Sequence, residues 1–286
     1  MPGGVPNQFK GLMAKNMLRS VTSIIALILL LTAIIGVPSK RANALTFVID
    51  FDPVAQFAFN TTAMSAFDVT PYGFTAGQRN TVISSVMTEL RNDFYNIVSP
   101  SIPSGQQLAI DFVLGTVGDG GVTANGDIDY YYIAVGNANN ASEPLGEAFL
   151  NGAFGTAGNT IGAVYTDEIF SGVFNAIGTP GDLFQTTHVL EGTLAHEIGH
   201  TLGLEHCTFG GAVTPNGLDP LMSSGATGLP NASRLTDREF STSCGVQASI
   251  DLLVANVGLE DAPVVPEPAT ILILGIGLAG IRFMRR

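Results

Sequence analysis

His196-Glu197-Ile198-Gly199-His200-Thr201-Leu202-Gly203-Leu204-Glu205-His206 is the stretch from which the rest of this 286-residue chain is read. His196 and His200 are four residues apart. On a helix they stack on one face, where two imidazoles can hold one metal ion. Glu197 is turned about 100° from His196, which sets a carboxylate beside the metal and leaves it free of ligand duty. Gly203 allows a backbone conformation that other residues avoid. The helix can stop there and the chain can turn back, bringing His206 as a third ligand. Three protein ligands leave one tetrahedral position open, which separates catalytic zinc sites from structural ones. Three of the chain's four histidines fall within this stretch, which an amphipathic helix with surface histidines does not explain.

These residues resemble the extended zinc-binding motif of the metzincin clan of metalloendopeptidases. The resemblance covers roughly residues 160–225. It implies a methionine-containing tight turn beneath the metal, for which Asp219-Pro220-Leu221-Met222-Ser223-Ser224-Gly225 is the candidate, with Met222 supporting the floor of the site by packing. Some families of the clan carry a tyrosine near the metal two residues past the methionine. Here that position is Ser224, so no tyrosine ligand is expected. The residue after the third histidine often marks the family; here it is Cys207, which points to none. The implied fold is α/β (α+β): a twisted mixed sheet with a long helix and an active-site helix in an N-terminal subdomain, 45–206, then a small irregular C-terminal subdomain, 207–262. The clan's last strand before the active-site helix is an edge that takes substrate as an added strand, which puts the expected edge at 160–166; a fully paired inner strand is the alternative.

The ends of the chain read as address signals. Residues 1–44 look like a signal peptide: basic Lys10, Lys15 and Arg19, the apolar run 21–37, and Ala42-Asn43-Ala44 as a small-residue cleavage site. An uncleaved anchor is the alternative. At the other end, Pro266-Glu267-Pro268, the apolar stretch 269–281 and the basic Arg282, Arg285 and Arg286 resemble the PEP-CTERM sorting signal of Gram-negative bacteria. That signal, within 263–286, implies an exosortase-type processing enzyme as a partner and transient membrane association through 269–281. A plain membrane anchor is the alternative. Either way, the middle of the chain is exported to the cell envelope, the outer surface, an extracellular matrix or the medium.

Charge agrees with that division. Eight of the twelve Lys and Arg lie in residues 10–41 or 282–286, while all twenty-four acids lie between Asp50 and Glu267, leaving 4 − 24 = −20 in the middle. Nucleic acid is excluded as a partner, since phosphate binding needs clustered cations. In an oxidising compartment Cys207 and Cys244 are expected to form a disulfide, separate buried thiols being the alternative. No cysteine precedes the zinc motif, so a pro-segment thiol cannot cap the metal.

Alternating and β-branched residues predict strands at 45–51, 108–114, 129–135 and 160–165. Helical spacing of Val82, Ile83, Val86, Met87, Leu90 and Phe94 predicts a helix over 76–98, opened by a Thr75–Gln78 capping box. The Gly/Asn/Ala-rich 136–160 reads as loop, and the active-site helix as about 187–202. A further helix is expected near 234–254, with Arg234 to Phe240 as its solvated face, and a linker at 259–268. Asp119, Asn125, Asp127 and Asp129 form an acidic loop that fits Ca2+ chemistry or plain polar turns. His188 reads as a local polar contact.

These features predict a zinc-dependent endopeptidase acting on proteins or peptides. Zn2+ would be held by His196, His200 and His206, with Glu197 as general base. The alternative is a non-catalytic, zinc-stabilised exopolymer matrix or surface protein. Glu197 separates the two, because a structural site needs the histidines but not this acid.

Overall fold

The computed structural model describes residues 44–53, 58–59, 62–115, 130–138, 144–151, 160–245 and 247–263. The targeting segment, the sorting signal with its apolar run and the acidic loop 119–129 lie outside these residues. Among the described residues, no helix is long and apolar enough to cross a membrane.

Strand β1 (Leu45–Asp50) is an inner strand of the sheet. It pairs in parallel with β5 (Ile110–Leu114) on one side and β6 (Tyr130–Ala138) on the other. Two short strands, β2 (Ala58–Phe59) and β3 (Thr62–Ala66), extend the sheet from β6 in antiparallel fashion. Another short strand, β4 (Gln106–Leu108), precedes β5. Beyond β6 come β8 (Thr160–Tyr165), parallel, and then β7 (Gly146–Ala148), antiparallel to β8.

The period-2 alternation of strand side chains splits the core between two faces. Phe47, Ile49, Ile133, Val135 and Val164 point into the main core, with the helices. Tyr132, Ala134, Ala163 and Tyr165 point the other way and form a second, smaller cluster with Met64.

Helix α1 (Arg79–Tyr95) buries the six residues that the spacing predicted. Its entry is fixed as expected: the Gln78 side-chain oxygen accepts from Thr75 N–H at 2.9 Å. A short helix α2 (Thr166–Ile169) runs on through a π-helical turn, Phe170–Phe174. Then α3 (Leu183–Thr201) carries the histidines. It starts four residues earlier than expected, because Asp182 accepts from Gln185 N–H at 3.1 Å as an N-cap. Thr186 and Thr187 are weak helix formers in isolation, but both are buried, and packing overrides propensity. Nearly all of α3 is buried, as befits a helix covered on every side.

The structure corrects four other expectations. Strand β8 is not an edge: β6 and β7 flank it, and β7, inside the stretch read as loop, lies outermost. Three residues carry too little pattern to be seen as a strand. No helix spans 234–254. The 3-10 turn Asn231–Leu235 gives way to β10 (Arg238–Glu239), paired with β9 (Asp219–Pro220), and α4 spans only Ser249–Val257. Gly245, at φ +79°, interrupts any longer helix. Arg234 and Arg238 are buried, not solvated. Finally, 259–268 does not begin as a linker, since β11 (Leu259–Asp261) pairs antiparallel with β4.

Candidate metal centre and cleft

The C-terminus of α3 makes the histidine cluster possible. Gly203 takes φ +93°, and a Cβ there would sit 2.5 Å from Asn151 Oδ1. Only glycine satisfies both conditions. The chain reverses, Leu204 N–H bonds Gly199 O at 2.9 Å, and His206 swings back towards α3.

The three Nε2 atoms of His196, His200 and His206 then lie 3.0 to 3.1 Å apart. His196 Nδ1 is 2.7 Å from Leu221 O, and His200 Nδ1 is 2.7 Å from Leu204 O. A carbonyl oxygen only accepts, so both Nδ1 atoms donate, and each Nε2 presents a lone pair. Burial holds His196 well below the usual imidazole range, with His200 pushing the same way. Burial lowers His200 and His206 as well. Neutral imidazoles converging on one point repel unless a cation lies between them, and the cluster fits a zinc site. Among the described residues it is the one group of three or more ligating side chains so placed.

Beneath the histidines, the turn at Leu221–Met222 is locked in place. Met222 is buried, and a Cβ at Gly199 would meet its sulfur at 2.5 Å. Cys207 N–H donates to Met222 O at 2.9 Å, and Ser223 Oγ donates to Cys207 O at 3.0 Å. Cys207 is bonded to Cys244. The carbonyl that orients His196 thus belongs to a turn tied to the residue following His206.

Glu197 faces a cleft of about 360 Å3 that also reaches His196 and His206. Strand β7 forms one wall. A Cβ at Gly146 would lie 2.8 Å from Glu197 Cγ and Oε1, so only a glycine lets the strand approach this closely. Burial raises Glu197 to about 8, and the neighbouring Glu147 adds to the rise. Glu147 Oε1 accepts from Tyr165 O–H at 3.3 Å. Ser224 and Gly225 also line the cleft, as do Arg234, beside Gly225, and Arg238, beside Gly192. Sequence reasoning missed Gly146, Gly192 and both arginines as site residues. The available signal was the scarcity of cations: these two are half of all Lys and Arg between residues 42 and 281.

One turn or more from the triad, His188 is buried against Phe184, 3.9 Å from Glu191. Glu191 and Asp93 of α1 form a buried carboxyl pair. Burial and the neighbouring Glu191 push Asp93 well up, and burial raises Glu191 as well.

The histidine triad beside a cleft on a mixed α/β scaffold fits a zinc site, and comparison with known proteins gives the following likenesses. Residues 124–207 match the family model for metallo-peptidase family M12B, reprolysin-like. Residues 264–286 match the PEP-CTERM protein-sorting motif, which indicates export to the cell envelope or surface. The fold is similar to that of archaemetzincin from Archaeoglobus fulgidus (13% identity, TM-score 0.35, covering 71% of this chain and 99% of that one). It is similar also to archaemetzincin from Methanopyrus kandleri (11% identity, TM-score 0.36, 77% and 98% covered). A third likeness is to mature mirolysin from Tannerella forsythia (13% identity, TM-score 0.33, 74% and 91% covered). No curated protein matches. The reprolysin-like segment ends at Cys207, one residue beyond the histidine motif, and with the triad it supports zinc peptidase activity.

Proposed function

We propose that this protein is an exported zinc endopeptidase in which His196, His200 and His206 hold the metal and Glu197 is the general base. The observation that carries the reading is the convergence of three Nε2 lone pairs beside a buried carboxyl group that ligates nothing. Zinc in that position lowers the pKa of a water molecule and polarises a peptide carbonyl. A cation held by the three histidines would favour the ionised form of the neighbouring Glu197 carboxyl. Its carboxylate accepts the proton of the attacking water and delivers it to the leaving amine. Met222 carries the floor and takes no part as a ligand. β7, the strand beyond β8 at one edge of the sheet and the wall beside Glu197, is the edge on which an extended peptide can lie. The catalytic unit runs over 45–262, with the PEP-CTERM segment processed by an exosortase-type enzyme during export.

The test is hydrolysis of an unfolded protein by the zinc-loaded protein, its chelated form and Glu197→Gln. Chelation should abolish cleavage and added zinc restore it. Glu197→Gln should lose roughly 10²- to 10⁴-fold in kcat while binding one zinc per chain. Undiminished cleavage by that variant rejects the mechanism. A folded, zinc-bound wild type without activity favours the matrix-protein alternative.

A further inference from the structure

Between the two ends, this acidic chain has four cations, all arginines. Two are satisfied by structure. Arg79 pairs with Asp52 at 2.9 Å and donates to Phe67 O and Phe51 O. Arg91 donates to Phe112 O and Met87 O. The other two, Arg234 and Arg238, both line the cleft beside Glu197 and His196. Arg234 is 9% exposed and Arg238 2% exposed.

Among the described residues, both keep guanidinium nitrogens without a hydrogen-bond partner. Arg234 Nε, Arg238 Nε and Arg238 Nη2 are buried without a hydrogen-bond partner. Among the described residues, neither guanidinium has a carboxylate within 4.0 Å. A buried cation normally carries such a partner, because desolvation is costly without one. The acids that act on Arg238 are Asp93, Glu191, Asp219 and Asp237, and burial pushes Asp93 and Glu191 towards their neutral forms. Arg234 is lowered to about 10 by burial and by Arg238 itself.

The backbone makes room for the pair. A Cβ at Gly192, one helical turn before His196 on the same face, would collide with the Arg238 guanidinium. A Cβ at Gly225 would touch Arg234 Nη2 at 3.5 Å. Gly192 thus admits the Arg238 guanidinium to the cleft that also holds Glu197 and His196, with Arg234 in ordinary contact with Gly225.

We propose that Arg234 and Arg238 form a carboxylate-selective subsite, so that the enzyme cleaves peptide bonds adjacent to an acidic group. The inference rests on the peptidase reading above. The group is either an aspartate or glutamate side chain or the free carboxylate of a peptide C-terminus. Either would fill the idle donors by charge-assisted, fork-shaped hydrogen bonds. The isosteric amides lack the charge and would leave two buried cations facing each other.

The test uses the purified full chain loaded with zinc and a peptide library with amidated C-termini, cleavage sites being read by mass spectrometry. Asp and Glu should exceed Asn and Gln by roughly 10²-fold in kcat/KM at one of the two positions flanking the bond. If the preference appears only when the same library carries free C-termini, the carboxylate recognised is the terminal one. Cleavage indifferent to both overturns the proposal while leaving the peptidase reading intact.

Binding gives a second measurement that needs no turnover. Calorimetry on zinc-loaded Glu197→Gln should show an amidated Glu-containing peptide binding about tenfold tighter than its Gln counterpart, a C-terminally free peptide serving as the parallel probe. Arg234→Gln should erase the difference and Arg234→Lys retain most of it, with melting curves checking that both are folded. Equal binding of acid and amide, with no gain from a free C-terminus, overturns the subsite even if hydrolysis is never seen.

Discussion

The two halves of the cleft are built in opposite ways. On the histidine side, His196 and His200 each hold a backbone carbonyl at 2.7 Å, and Met222 fills the space under Gly199. On the arginine side, three buried guanidinium nitrogens have no hydrogen-bond partner among the described residues. Satisfied groups are fixed in one geometry before any ligand arrives, as a metal site requires. Unsatisfied buried donors raise the energy of the free protein, and a ligand that pairs them gains what the fold leaves unpaired. One half is therefore prepared for a metal and the other for a charged partner.

The comparison can be broken on the histidine side first. Gly146→Ala pushes a methyl group into the space of Glu197 Cγ and Oε1. It should cost roughly 10²-fold in kcat, the scale of an ångström-sized misplacement. Zinc content and the acid-over-amide ratio should stay as in the wild type. If the ratio falls with the rate, the halves are not separate.

A smaller effect is expected beneath the metal. Gly199→Ala drives a methyl group against the Met222 sulfur and should destabilise the protein by about 1–3 kcal/mol in denaturant unfolding. Because Leu221 O orients His196, zinc affinity should weaken as well. Unchanged stability and affinity would show that the turn is loose, against the picture of a fixed half.

The smallest effect belongs to the carboxyl pair behind the arginines. Burial pushes Glu191 from its ordinary value up to about 7. An acid raised in the folded state binds more protons there than in the unfolded chain. Its contribution is therefore fully present below about pH 4.5 and is lost as pH rises through about 7. Unfolding measured between pH 4.5 and 7.5 should show wild-type stability falling with pH relative to Glu191→Gln. Parallel curves would mean that Arg238 already holds Glu191 ionised, and the arginine half would then be less open than described.

The histidine half was legible because its spacing is local. Four residues make one helical turn, and Gly203 can be read as a chain reversal without knowing what lies nearby. The same holds for α1, whose apolar periodicity named its buried residues, and for β8, whose bounds agree with the expected 160–165. The arginine half was not legible. Arg234 to Phe240 carries alternating charges, which by default mark a solvated face, and only the return of β10 against β9 brings it under α3. β7 was hidden for a related reason: three residues gain strand geometry solely from the partner β8.

By itself, the sequence determined the chemistry that depends on neighbours a few residues apart: the histidine ladder, the glycine reversal, the acid next to the first histidine, the address signals and the acidic balance. Tertiary structure decided what depends on residues tens of positions apart. It placed Leu221 O on His196, Gly146 against Glu197, Cys244 on Cys207, and, in the cleft with Glu197 and His196, two arginines with no carboxylate within 4.0 Å among the described residues. The reason is physical. Helical and turn geometry repeats within a few residues, whereas burial and charge pairing depend on which distant segments the packed core brings together.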